Sequence, residues 1–178
     1  NNEAIHYLAE AIRIDTENAR AYHQLGTTYL QVKRYQDAID AFKRSIKTQP
    51  ADADTFFNLA KAYSELNLYR EATDSLNESL RLNPKNYNAY YLLGKNNLRL
   101  GHYPEALDAL QKSLEKNPTH SETWNELGTV YRKTKQYQDS MDCNNMSIHL
   151  NPQFADAYNN LGTTAVLMNK KGEAVTAF

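Results

Sequence analysis

Tyr22-His23-Gln24-Leu25-Gly26-Thr27-Thr28-Tyr29, followed by Ala38, Phe42 and Pro50, sets a pattern that recurs along this chain. Thirty-four residues after Pro50 stands Pro84, then Pro118, then Pro152. Gly26, Gly94, Gly128 and Gly162 form a second comb of the same pitch, with Ala60 in the vacant place. Aligning 19–52, 53–86, 87–120, 121–154 and 155–178 exposes further columns. One holds Tyr22, Phe56, Tyr90, Trp124 and Tyr158, and another Leu25, Leu59, Leu93, Leu127 and Leu161. A third holds Tyr35, Tyr69, Tyr103 and Tyr137, and a fourth Ala38, Ala72 and Ala106, continued by Ser140 and Ala174. Helix breakers at a fixed pitch mark a repeat architecture, in which one supersecondary unit recurs.

Within a unit the pattern predicts helix, turn, helix. Phe56, Phe57, Leu59, Ala60, Tyr63 and Leu66 recur at three- and four-residue steps, the spacing of a helix with one buried face. Asn67, which tolerates left-handed backbone, ends that run. A second run from Tyr69 to Leu82 stops at Asn83-Pro84, because proline disfavours helical geometry in the residue before it. Pro104 is the exception among the prolines: it falls in a first helical turn, where a missing N–H costs nothing. The glycines beside the Leu column predict close approach of two helices, with the Ala38, Ala72 and Ala106 column as the matching small surface. One such hairpin cannot bury its apolar faces alone; stacked neighbours can.

Trp124-Asn125-Glu126-Leu127-Gly128-Thr129-Val130-Tyr131, closed by Pro152, resembles the signature of the tetratricopeptide repeat, and Tyr22 to Pro50 resembles it more fully. The resemblance covers the whole chain. It implies an all-α fold, a right-handed superhelical solenoid of antiparallel helix pairs with a 34-residue repeat. In that register 1–18 is the second half of a preceding unit, and four full units follow at 19–52, 53–86, 87–120 and 121–154. Residues 155–178 form a partial one. Both ends fall mid-unit, so one continuous solenoid cut from a longer protein is expected. Apolar faces at each end would be open to end-to-end self-association.

Composition narrows the function. The chain has 178 residues, with 20 Lys+Arg against 21 Asp+Glu and a single Cys. A net charge near zero gives no field for nucleic acid, and no apolar stretch is long enough for direct membrane insertion. His6, His23, His102, His120 and His149 occupy different columns and make no metal-ligand pair. There is no glycine-rich phosphate loop, and the carboxylates sit mainly on polar faces. Lys33-Arg34 and Lys170-Lys171 are short basic spots near turns, not a phosphate-binding stripe. Cys143 reads as structural or incidental, and the acceptor triplets at Asn77 and Asn145 as chance, since both fall inside helices. No catalytic, cofactor or metal site is expected. Nothing places the chain in a secretory route, and a cytoplasmic setting is slightly favoured.

The family resemblance assigns a partner groove to the first helices, at positions 2, 5, 6, 9, 12 and 13 of each unit. In this sequence the candidates are Phe57, Asn58 and Lys61; Tyr91, Leu92, Lys95 and Arg99; Asn125; and Asn159 and Asn160. The same positions include His23, Gln24 and Thr27, then Glu122, Glu126, Thr129, Arg132, Lys133 and Asp156. Phe57 and Tyr91 stand beside Phe56 and Tyr90, which the repeat already uses, so each is free either to anchor a peptide or to wedge neighbouring helices. Lys61, Lys95 and Arg99 make the middle of the groove positive, and Glu122 and Glu126 make its later part negative. A protein or peptide partner with both signs, or a polar extended segment, fits better than a uniformly charged one.

Three departures matter. Asn97 stands in the column of Tyr29, Tyr63 and Tyr131, open to a packing compromise or a ligand hydrogen bond. Ser140 and Asn144 put polar groups where Ala38 and Phe42 have apolar ones, making 121–154 the expected weak junction. The cationic clamp of the family's Hsp70- or Hsp90-type carboxylate-tail binders is not matched in either frame, His23, Thr27, Asn58, Asn88, Leu92 or Phe57, Lys61, Leu92, Glu122, Glu126. That class of partner is disfavoured. Asn151-Pro152 through Gly162 also resembles repeats of O-linked N-acetylglucosamine transferase, but the asparagine ladder is interrupted as Gln24, Asn58, Leu92, Glu126, Asn160. The expected function is a non-catalytic protein-interaction scaffold binding a peptide or partner helix in its groove. The alternative is the recruiting region of a larger enzyme or transport machine, such as a transferase of that kind.

Overall fold

The computed structural model describes residues 2–50 and 52–168; Lys170-Lys171, Ala174 and Phe178 lie outside them. The described residues form α-helices and connecting turns. In order they are α1 (Asn2–Ile14), α2 (Ala19–Gln31), α3 (Tyr35–Thr48), α4 (Ala53–Glu65), α5 (Tyr69–Leu82), α6 (Tyr87–Leu100), α7 (Tyr103–Lys116), α8 (Ser121–Lys133), α9 (Tyr137–Leu150) and α10 (Ala155–Leu167). The chain divides into two compact units, Asn1–Lys85 and Asn86–Phe178. In the first, α2 pairs with α3 and α4 with α5, while α1 lies on α2 and α3 on α4. In the second, α6 pairs with α7 and α8 with α9, and α10 covers both α8 and α9. Each unit has the tetratricopeptide fold, built from antiparallel helix pairs.

The turn inside each full repeat passes through one residue with left-handed backbone: Lys33 (φ 60°), Asn67 (φ 59°), Gly101 (φ 79°) and Lys135 (φ 65°). Asparagine and glycine suit that conformation and lysine does not, so composition hid two of the four turns. What holds them is hydrogen bonding. The N–H groups of Arg34, Leu68, His102 and Gln136 donate to the carbonyls of Tyr29, Tyr63, Asn97 and Tyr131 at 2.8–2.9 Å, closing each helix end. Asn97 serves this backbone role as its tyrosine counterparts do, with its side chain buried. At the other end of the unit, Asn18, Asp52 and Asn86 accept from backbone N–H groups of Ala21, Asp54 and Ala89 and cap α2, α4 and α6.

A polar column also ties each pair together. The hydroxyls of Ser45, Ser79, Ser113 and Ser147 donate to the carbonyls of Ala19, Ala53, Tyr87 and Ser121 at 2.8–2.9 Å. All four serines are buried. The bond fixes where the end of each second helix meets the start of its first, and it repeats every 34 residues.

The glycine comb marks close helix approach, and the group it faces is the large residue of the second helix. The nearest groups to an added Cβ at Gly26 are the Phe42 ring atoms, at 2.6–2.9 Å. At Gly94 they are Leu110 side-chain atoms at 2.5 and 2.8 Å, with the Ala106 carbonyl oxygen at 3.2 Å. Gly128 faces Asn144 at 2.9–3.0 Å. The glycine therefore admits the large residue of the second helix; the Ala106 backbone shares that contact at Gly94, and Ala38, Ala72 and Ala106 are all fully buried. The residue of that column in the register of Gly162 is Phe178, which lies outside the described residues.

Asn144 is fully buried in this large-residue column. Its Nδ2 donates to the Ser140 carbonyl at 2.8 Å, but its Oδ1 has no partner. Ser140 and Thr164 share a hydroxyl hydrogen bond at 3.1 Å beside it. At the outer helices, Tyr7 and Ile14 of α1 and Val166 and Leu167 of α10 are exposed.

Two substitutions test these contacts. Gly26→Ala forces the Phe42 ring aside, a strain of about 1–3 kcal/mol against about 1 kcal/mol gained in helix propensity. A net loss of stability is expected in urea unfolding, and adding Phe42→Leu, the Ala60–Leu76 pairing of the next repeat, should recover it. Asn144→Leu, which copies the Gly94–Leu110 pairing, should raise the unfolding midpoint by removing an unpartnered buried acceptor worth about 1–3 kcal/mol.

Candidate functional site

Helix periodicity brings positions 5, 9 and 12 of a first helix to one face, and in the second unit the faces of α6, α8 and α10 meet around a cleft of about 580 Å³. Asn125 and Thr129 on α8 and Asn160 on α10 form its wall. Asn160 Nδ2 donates to Asn125 Oδ1 at 2.8 Å and reaches Thr129 Oγ1 at 3.3 Å. Arg132 extends an Nη2 to Asn160 Oδ1 at 3.5 Å, while its buried Nε has no partner. Arg99, Lys133, Asp156 and Asn159 complete the rim, and all four are exposed.

Glu126 gives the cleft its electrostatic character. Burial pushes its carboxyl above the ordinary range, and Asp156 adds to this; Lys95 and Arg99 pull the other way without reaching ion-pair distance. Tyr91 lies close by, half-buried, packed on the core formed by Ala106, Leu110, Leu127 and Val130. Its ring meets His120 edge to face at 5.0 Å, with Lys95 Nζ 5.9 Å from its centroid. Burial, then the fields of Glu126, Glu122 and Asp156, push the Tyr91 phenol well above its usual value. Its contacts are those of a packing residue on the edge of the cleft.

Among the sequence candidates, Arg99, Asn125, Asn159 and Asn160 line this one cleft. Lys95 lies over Tyr91, and Leu92 is half-buried outside the lining. Phe57, Asn58 and Lys61 belong to the first unit. There Phe57 and Asn58 are half-buried, and Lys61 is exposed with its Nζ 5.8 Å from the Phe57 centroid. Leu100, Gly101 and Tyr103 also line the cleft from the α6–α7 turn and start of α7, outside the groove positions. Only the folded turn brings them there.

The first unit has a polar chain of its own. His23 Nδ1 lies 2.6 Å from Thr55 Oγ1, Thr55 bonds the Asp52 carboxylate, and His23 Nδ1 is 3.5 Å from Asp52 Oδ2. Thr55 is fully buried, so this set braces α2 against α4. In the second unit the buried Thr123 Oγ1 instead has a local partner, His120 Nδ1 at 2.6 Å at the start of α8, and the His120 ring meets Tyr87 and Tyr91 of α6 edge to face. The signal in the sequence is Thr55 and Thr123 in a column otherwise filled by Ala21, Ala89 and Ala157. Among the described residues no three His, Cys, Asp or Glu side chains gather as metal ligands, and no helix is long and apolar enough to cross a membrane.

The raised Glu126 carboxyl has a definite consequence for pH. The folded state holds that proton more tightly than the unfolded chain, so stability is lost as pH rises from the ordinary carboxylate range through the raised folded value, above which the cost is complete. Glu126→Gln should raise the urea midpoint at neutral pH. The gain should fade as pH falls below the ordinary carboxylate range, where both states are protonated.

Residues 5–113 match the family model described as the cytochrome c-type biogenesis protein H TPR domain, and residues 109–141 match one described as a tetratricopeptide repeat. No curated protein matches the chain with significance. Among solved structures, the chain is similar to a MamA protein, with 27% identity and a TM-score of 0.83 over 92% of this chain and 89% of that one. The MamA fragment 41-end from Desulfovibrio magneticus RS-1 shares 21% identity over 90% of each chain, with a TM-score of 0.84. YrrB, described as a TPR protein with an unusual peptide-binding site, shares 21% identity over 96% of this chain and 88% of its own, with a TM-score of 0.79. The 34-residue combs, the paired helices and a family match over more than half the sequence agree: the chain belongs to the tetratricopeptide-repeat family.

Proposed function

We propose that this chain is a non-catalytic protein-interaction scaffold, and that the cleft between α6, α8 and α10 holds an extended or helical segment of a protein partner. The observation that carries this reading is the Asn125–Asn160 amide pair, fixed by its own hydrogen bond in the wall of an open cleft. Held amides present donors and acceptors to a peptide backbone with little further loss of side-chain freedom. Arg99, Lys133, Glu126 and Asp156 supply both signs of charge around them, which suits a partner segment that is itself mixed. YrrB, of the same fold, has a peptide-binding site by its description. Phe57, Asn58 and Lys61 are the corresponding proposal for the first unit, and Tyr91, Leu92 and Lys95 flank the cleft in the second.

A second reading is favoured by the family model over residues 5–113, which is named for a domain of a biogenesis protein. On it, the same surface recruits a partner for a larger machine. The two readings share the cleft and differ in what lies around the chain.

The test uses peptides selected on the whole chain from a displayed random library. Those that bind the cleft should lose about tenfold or more in affinity with Arg99→Ala combined with Asn160→Ala, near 1.4 kcal/mol, while circular dichroism shows the helices intact. Retained affinity for every selected peptide would move the binding surface away from this cleft.

A further inference from the structure

We propose that a second pocket, between α7, α8 and α9, docks a protein segment carrying a Lys or Arg side chain beside a large apolar one. This goes beyond the cleft, with which the pocket shares no lining residue. The pocket has a volume of about 610 Å³, within the range of cavities that take ligand groups. Its floor is apolar, formed by the buried Leu114, Leu127 and Cys143. Its walls are the half-buried rings of Trp124 and Tyr131. The Trp124 indole N–H donates to the Pro118 carbonyl at 2.8 Å, which holds the ring before any partner arrives.

The rim decides the sign of the partner. Glu115, Asp139 and Asp142 line the pocket, all exposed, and none is within ion-pair distance of a cation among the described residues. Lys112, which feels Glu115, is held by Asp108 at 2.8 Å, and Asp142 accepts only from the neutral Gln138 at 3.0 Å. The sequence columns show how this pocket differs from its counterparts. Acidic residues at the places of Asp139 and Asp142 recur in the other repeats, as Asp37, Glu71 and Glu105 and as Asp40, Asp74 and Asp108. At the place of Glu115, however, the earlier repeats carry Arg13, Lys47 and Arg81. A single charge reversal has turned a mixed surface into an anionic one. Its field reaches the floor: the Cys143 thiol is pushed up to about 12 by burial and then by Asp139 and Asp142.

An apolar floor alone would accept any greasy side chain. With three carboxylates around it that no described cation pairs at ion-pair distance, a segment bringing its own carboxylates is repelled, and one bringing Lys or Arg gains attraction at the rim as its apolar neighbour is buried. A guanidinium there can also stack on the fixed indole face.

Trp124 is the single tryptophan of the chain, so its fluorescence reports on this pocket. The same displayed library is panned on the whole chain and counter-selected on the Asp139→Lys, Asp142→Lys double variant. The expected binders pair Lys or Arg with Leu, Ile, Phe or Trp, change Trp124 emission on saturation, and keep their affinity in the Arg99→Ala, Asn160→Ala chain. They should weaken at least about tenfold in the double variant and also in Glu115→Lys, which restores the cation of the other repeats. Those two rim variants act independently, so misfolding of one leaves the other decisive. Binders without that residue pairing, binders indifferent to Glu115→Lys, or no counter-selected binder at all would overturn the proposal. So would a concentration-dependent dimer that Glu115→Lys dissolves, because the occupant would then be a second copy of the chain.

Discussion

At three of the four full repeats the crossing of the first helix over the second depends on one of the two giving up its side chain. With Phe42 or Leu110 projecting from the second helix, a methyl at Gly26 or Gly94 would stand within 2.9 Å of its atoms. At these crossings the large residue fills the space that a Cβ at the opposing position would take. Where Ala60 takes the glycine's place, the facing residue in the column is Leu76, which lacks a planar ring. The pair, not the glycine, is the unit on which the packing is built. Its burial gives the hairpin an apolar interior, while its closeness limits the orientations the helices can take.

Polar groups then fix what apolar packing leaves free. The serine at the end of each second helix bonds the first carbonyl of its partner helix, setting the axial position of one helix against the other. The turn carbonyls close the opposite end, even where lysine must adopt left-handed backbone. Asn144 shows how far the scheme can be stretched. Asparagine enters the large-residue column opposite Gly128, satisfies its amide nitrogen locally and leaves its oxygen unpartnered in the core. This is a local conflict within an otherwise consistent pattern, which places the expected weak point of the second unit between α8 and α9.

Because the repeat consumes the buried faces, chemistry is left to surfaces where first helices or second helices lie side by side. On the first-helix surface of the second unit, Asn125 and Asn160 hold each other, and charges of both signs surround them. Beside α7 and α9 the balance is different. Three carboxylates ring an apolar floor, since the column that elsewhere supplies Arg or Lys supplies Glu115. Two surfaces with different charge can serve two different contacts on one small unit.

The sequence by itself determined the repeat, its 34-residue pitch and the helix pairs, because Gly, Pro and the aromatic columns act locally and their spacing needs no fold to be read. It also nominated Arg99, Asn125, Asn159 and Asn160 as groove residues, through the family resemblance. Other features depended on atoms far apart in the chain and were decided only by the tertiary structure. These include the choice of Phe42, Leu110 and Asn144 as the glycines' true neighbours, the serine-to-carbonyl bonds across 26 residues, and the packing of Tyr91 against His120. Spacing along a helix says which residues share a face. Which side chain on another helix meets that face is set by the depth and angle of packing, and those emerge only when the helices are in contact.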